Sequence, residues 1–189
     1  MAVTAFKTRD DAISQHARVP VENIQPGNGV DSLIKLLCLT LLDPGDQLVM
    51  GWPSFPSWRQ GALMMGAEPV LVPLGLGGAY DLDALGAAVG PRTKMVVVVS
   101  PNNPTGAVYP RAILERLARI AEKHGLVVFA DEIYDKILYD DAQFVPMATL
   151  VHDTLCATMS GLSKVYRACG YRVGWVAFSG RLRAAADYL

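Results

Sequence analysis

The chain has 189 residues and a formal charge of −1. That is long enough for one well-buried core, and it lacks the basic excess that marks a nucleic-acid footprint or a surface for anionic membrane. With 51% apolar and 19% charged residues the composition is that of a globular protein, and no apolar run is long enough to span a bilayer. Cys38, Cys156 and Cys169 are odd in number and have no C-x-x-C spacing, and the three histidines are dispersed, so neither a disulfide framework nor a metal site is expected. Without an apolar signal core at its N-terminus, the chain is expected in the cytosol.

Residues 10–18 read as a surface helix, and Pro26-Gly27-Asn28-Gly29 is a strong turn signal. From Asp31 to Leu42 apolar residues nearly encircle a helix, which predicts burial on most sides until Asp43-Pro44-Gly45-Asp46 stops it. Gln47–Trp52 is a short strand, Ser57–Met65 a helix, Pro69–Leu74 a strand and Asp81–Val89 a helix. The four valines within Lys94–Ser100 predict a strand covered on both faces. Arg111–His124 has Ile113, Leu114, Leu117, Ile120 and Ala121 at helical spacing, with Gly125 as C-cap. Leu126–Ala130, Thr154–Met159 and Val173–Phe178 are further strands, with another near Asn23, and a last helix is expected from Arg181. Cys38 and Cys156 sit in apolar runs and read as small core residues.

Strands alternating with helices predict an α/β fold with a largely parallel sheet, whose ligands bind outside the carboxyl ends of its strands. Gly29, Phe55, Asn103, Asp131 and Lys164 each lie just after a predicted strand. Lysine attacks carbonyl compounds when its surroundings lower its pKa, and the hydroxyl of Ser163 and guanidinium of Arg172 suit an anion beside it. A lone lysine is far more often a solvated surface charge.

An aldehyde cofactor held as a Schiff base on Lys164 would need further partners. The amides of Val30, Asp31 and Ser32 open a helix, where phosphate is favoured. Asp131 suits a pyridine nitrogen, Tyr134 and Asn103 a ring oxygen, and Phe55 a ring face. Each also has a plain structural alternative. Asp131 would cap the next helix, Asn103 would form a turn, and Tyr134 and Phe55 would simply pack. Together, however, they supply every group that such a site requires.

Ser-Pro-Asn-Asn-Pro-Thr-Gly at 100–106, Phe-Ala-Asp-Glu-Ile-Tyr at 129–134 and Ser-Lys…Gly-Tyr-Arg-Val-Gly-Trp at 163–175 resemble the class I/II aminotransferases, pyridoxal-phosphate enzymes of the aspartate aminotransferase fold. Residues 95–178 are most similar to the bacterial alanine aminotransferase branch, and residues 22–75 at least as much to histidinol-phosphate aminotransferases. The resemblance implies a three-layer α/β/α domain on a seven-stranded, mostly parallel sheet, with Val173–Phe178 as its antiparallel strand. It implies Lys164 as Schiff-base lysine and proton shuttle, Asp131 at the pyridine nitrogen, Tyr134 and Asn103 at the ring oxygen, and Phe55 stacked on the ring. Val30, Asp31, Ser163 and Arg172 would meet the phosphate, and Trp52-Pro53 and Asn103-Pro104 would be cis.

By the same resemblance, residues 1–189 are one cofactor-binding large domain. The family's N-terminal arm and its C-terminal small domain, which carries the arginine for the substrate carboxylate, fall outside it. The implied reaction moves an amino group between an L-amino acid, alanine-like or histidinol-phosphate-like, and a 2-oxo acid, in enzymes that are homodimers at full length. The alternatives are a pyridoxal-phosphate lyase or decarboxylase, which shares these residues, or a module that binds the cofactor without turnover.

Overall fold

The computed structural model describes residues 11–181; the helix expected from Arg181 lies outside them. Seven strands, β1 (Ile24–Gly27), β2 (Gln47–Trp52), β3 (Glu68–Pro73), β4 (Thr93–Val99), β5 (Val127–Asp131), β6 (Leu155–Gly161) and β7 (Gly174–Gly180), form one sheet in the order β1-β7-β6-β5-β4-β2-β3. β7 runs antiparallel to both β1 and β6, and every other pair is parallel. The antiparallel strand is therefore the one expected, shifted slightly toward the C-terminus.

Helices α1 (residues 11–17), α2 (Val30–Leu41), α3 (Pro56–Met64), α4 (Leu82–Ala88) and α5 (Arg111–His124) cover the two faces. Strand β4 shows why both layers are needed. Met95, Val97 and Val99 point into a core shared with α2 and α3, and Val96 and Val98 into one shared with α4 and α5. In α5 the buried stripe is Leu114, Leu117, Ala118 and Ala121, and the helix ends at Gly125 with φ 63°. A left-handed residue is cheap there only for glycine, and Lys123 and His124 in the last turn complement the helix dipole.

Helix α2 departs from expectation. Leu33, Ile34, Leu37 and Cys38 are buried against the sheet and α3, but Leu36 and Leu39 are 50% and 63% exposed. An outer-layer helix can bury only the stripe facing the sheet and the flank facing its neighbour. Among the described residues nothing lies over the remainder. Cys38 and Cys156 are both fully buried, as expected of core cysteines. The Trp52-Pro53 and Asn103-Pro104 bonds are cis, and so is Ser100-Pro101.

Replacing Leu117 with alanine should cost about 2–5 kcal/mol, as for other large core side chains. Replacing Leu39 should change stability by no more than about 0.5 kcal/mol. Urea denaturation of the two variants measures the contrast, and comparable losses would mean that α2's outer stripe is core after all.

Candidate active site

The site is assembled by the loops that leave the parallel strands at one edge of the sheet. The crossovers diverge between β2 and β4, since β2 leads through α3 to β3 on one side and β4 through α5 to β5 on the other. That divergence opens a crevice at the carboxyl ends. An open cavity of about 200 Å³ lies there, walled by all nine residues singled out from the sequence: Val30, Asp31, Phe55, Asn103, Asp131, Tyr134, Ser163, Lys164 and Arg172. Val99, Ile133 and Cys169 complete its wall.

Glycine shapes the end of the cavity where α2 begins. Gly174 of β7 pairs with both Gly27 of β1 and Gly161 of β6, which places three residues without side chains in one row. A Cβ on Gly174 would stand 2.7 Å from the amide nitrogen of Val30 and 2.9 Å from the carbonyl carbon of Gly29. A Cβ on Gly29, where φ is 80°, would overlap the guanidinium of Arg172. The backbone at the start of α2 therefore rests directly on β7, with Arg172 alongside. The first-turn N–H groups of α2 have no carbonyl acceptor in their own helix, so this end favours an anion. The Asp31 carboxylate is already engaged by the Lys35 ammonium, at 2.7 Å, and by the Ser57 hydroxyl. Those two hydrogen bonds, with Lys35 and Arg172 nearby, hold its pKa below the usual carboxylate value.

Lys164 and Arg172 share the connection between β6 and β7, which is held shut by hydrogen bonds. Leu162 N–H donates to Val173 O at 3.0 Å, and Ala168 N–H to Leu162 O at 3.0 Å. Arg172 has φ 53°, and its Nη1 donates to Cys169 O at 3.1 Å. On the other side, the buried Asn102 joins the loops after β2 and β4. Its Nδ2 donates to Pro53 O at 3.2 Å and to Thr105 Oγ1 at 2.8 Å, and Ser54 Oγ donates to its Oδ1 at 3.3 Å. Asn103 itself lies in the turn with Pro104 and Thr105, as its structural alternative had it, and it is also half-buried on the cavity wall.

Asp131 closes β5 and is 2% exposed. It is followed by turns rather than by a helix, so the helix-cap alternative does not arise, and its Oδ1 accepts from Ile133 N–H at 3.3 Å. Burial raises its pKa to about 6, against the pull of the Ile133 amide, the Trp58 indole and the Lys164 charge. Glu132 faces away from water too. Burial, with Asp135 and Asp131 nearby, raises its pKa to about 8, although its Oε1 accepts from Met147 N–H at 2.8 Å. Behind this turn, His16 of α1 reaches Asp135 at 2.8 Å and lies edge-on to Trp175. The Tyr134 ring centroid is 5.9 Å from Lys164 Nζ.

Nothing in the local pattern marked Ser57, Trp58 or the buried Glu132. The glycines Gly161 and Gly174 carried a usable signal, since glycine within a strand marks close backbone approach.

Fold and cavity together define a three-layer α/β domain of the aspartate aminotransferase type, with one lysine beside an anion cradle. The family described as "Aminotransferase class I and II" matches residues 4–188. The alanine aminotransferase of Mycobacterium tuberculosis is 42% identical over 187 residues, covering 98% of this chain and 44% of that protein. The glutamate-pyruvate aminotransferase AlaA of Escherichia coli is 41% identical over 186 residues, covering 94% of this chain and 46% of that protein. Among solved structures, an aminotransferase from Escherichia coli superposes with a TM-score of 0.91 at 41% identity, covering 95% of this chain and 46% of that one. The aspartate aminotransferase of Thermus thermophilus reaches 0.84 at 33% identity, covering 90% and 46%. The chain belongs to the class I and II aminotransferases, and it spans less than half the length of the curated relatives it matches.

The raised carboxyl pKa values set a pH dependence. At acidic pH, below the ordinary carboxylate range, Asp131 and Glu132 are protonated in both folded and unfolded chains. As pH rises toward about 8, the unfolded chain releases protons that the folded chain still holds, so these groups lower stability progressively and their effect levels off above that. Glu132→Gln, which keeps an acceptor for Met147 N–H, should flatten most of this decline when urea midpoints are compared between pH 5 and 8, conditions chosen on the order of the titration range. An unchanged slope would place the Glu132 carboxylate in contact with water.

Proposed function

We propose that this chain is the pyridoxal-phosphate-binding part of an aminotransferase that exchanges an amino group between an alanine-type L-amino acid and a 2-oxo acid. The observation that carries the reading is the convergence of Lys164, the buried Asp131 and the glycine-floored anion cradle on one cavity. The similarity to enzymes named for alanine and for glutamate with pyruvate supports the substrate class.

The residues present suit the cofactor. Its phosphate has the open cradle of the Val30 and Asp31 amides, Ser163 and Arg172, into which a Cβ on Gly29 would intrude. When bound, pyridoxal phosphate supplies an aldehyde that condenses with amines and a ring that draws electrons from a forming carbanion. Asp131 would accept a hydrogen bond from the ring nitrogen and, as an anion, would favour its protonated form. Tyr134 and Asn103 would be the donors to the ring oxygen, and Phe55 would cover the ring face. The Lys164 amine would be the group that holds the cofactor's aldehyde, and it borders the cavity where it could serve as the base that moves a proton. Residues 1–189 act as one large domain, and the family's further segments supply the grip on the substrate carboxylate.

Incubation with pyridoxal phosphate, borohydride reduction and peptide mapping should label Lys164, and Lys164→Ala should abolish the label. Modification elsewhere, with Lys164 untouched, would reject the assignment. Arg172→Ala should weaken cofactor binding roughly ten- to a hundredfold, the usual cost of a charge-assisted hydrogen bond. Supplying L-alanine and 2-oxoglutarate then tests turnover, and a labelled chain without amino transfer would favour a binding module.

A further inference from the structure

Trp58, in the first turns of α3, is fully buried, and among the described residues its indole Nε1–H has no hydrogen-bond partner. Its ring packs on Phe129 with centroids 5.0 Å apart. Phe129 and Asp131 are two residues apart on β5, so their side chains leave the same face of the sheet, the face that α3 covers. The indole therefore sits under the Asp131 carboxylate, on the side away from the open cavity. It stands close enough for its N–H to draw the carboxyl's pKa down, although the contact falls short of hydrogen-bond geometry.

A buried donor without a partner thus lies beside a carboxylate that opens on the cavity. A carboxylate accepts about four hydrogen bonds, and among the described residues Asp131 has one, the long contact from Ile133 N–H. An indole N–H only donates, and leaving it unpaired in the core is costly. We propose that Trp58 is a positioning residue for Asp131: its indole N–H closes onto the carboxylate once that group is ionised and fixes it for the cation it faces in the cavity. This rests on the cofactor reading for the identity of that cation, a protonated ring nitrogen, but the contact itself belongs to the chain alone. Trp58 touches neither cofactor nor substrate and acts through Asp131.

The charged and titratable groups around Asp131 are Lys164 across the cavity, which favours the carboxylate, and the adjoining Glu132, which opposes it. Both remain in place when Trp58 is changed to phenylalanine, which keeps an aromatic ring against Phe129 and removes the N–H. The test begins with the unaltered chain, free of cofactor. In ¹H–¹⁵N spectra the Trp58 indole resonance should move downfield as pH is raised, with a midpoint near that of Asp131, and Asp131→Asn should abolish the movement. In Trp58→Phe the Asp131 carboxyl carbon should titrate higher by about one pH unit, and pyridoxal phosphate should bind about tenfold more weakly. A Trp58 resonance that ignores pH between 5 and 8, a range on the order of that titration, overturns the proposal. So does a Trp58→Phe chain with unchanged Asp131 titration and unchanged cofactor affinity. If pyridoxal phosphate fails to bind the unaltered chain, the cofactor reading falls, and the two titrations still decide the role of Trp58.

Discussion

The site depends on one backbone-to-backbone contact, the seating of the first turn of α2 on β7 at Gly174. With a Cβ-to-amide separation of only 2.7 Å, any side chain at Gly174 would push Val30 away. Because Gly174 also lies in register with Gly27 and Gly161, the displacement would spread to β1 and β6. The helix end, Arg172 and Lys164 would then separate, since all three are carried by this group of strands and the connection leaving it. The anion cradle is thus a packing constraint before it is a set of donors.

The second organising feature is the different treatment of two adjacent acids. Asp131 ends β5 on the face covered by α3 and borders the cavity, so it retains a route to a cationic partner. Glu132 is turned into the protein, where it accepts from Met147 N–H and lies near Asp135, itself held by His16. Burial raises both pKa values, but only Asp131 has Lys164 to favour its charge. Sequence neighbours therefore differ in setting: burial raises Asp131 to about 6 beside the Lys164 charge, and raises Glu132 further, to about 8, within the turn that carries Tyr134.

Much of this was legible in the sequence because it depends on local pattern. The valines of β4 announced a strand buried on two sides, and the α5 stripe and Gly125 cap marked that helix to the residue. The cavity residues were legible because parallel strands deliver their following loops to one edge, so that placing Phe55, Asn103, Asp131 and Lys164 after strands was enough to gather them. The α2 stripe misled for the opposite reason. Apolar residues around a helix show what could be buried, whereas burial of Leu36 and Leu39 requires a neighbour on that side. Trp58 carried no local signal, since a core tryptophan and one beneath a carboxylate look alike along the chain.

The sequence by itself determined the strand and helix types, the edge at which the site forms and the residue kinds available there, because these follow from side-chain periodicity and chain direction. Only the tertiary structure decided that Gly174 seats the start of α2, that Asn102 ties two loops together by its side chain, and that Glu132 is buried while Lys164 faces the cavity. Each of those outcomes depends on contacts between segments far apart in the chain. Desolvation and close approach are properties of the assembled neighbourhood, not of the residue that experiences them.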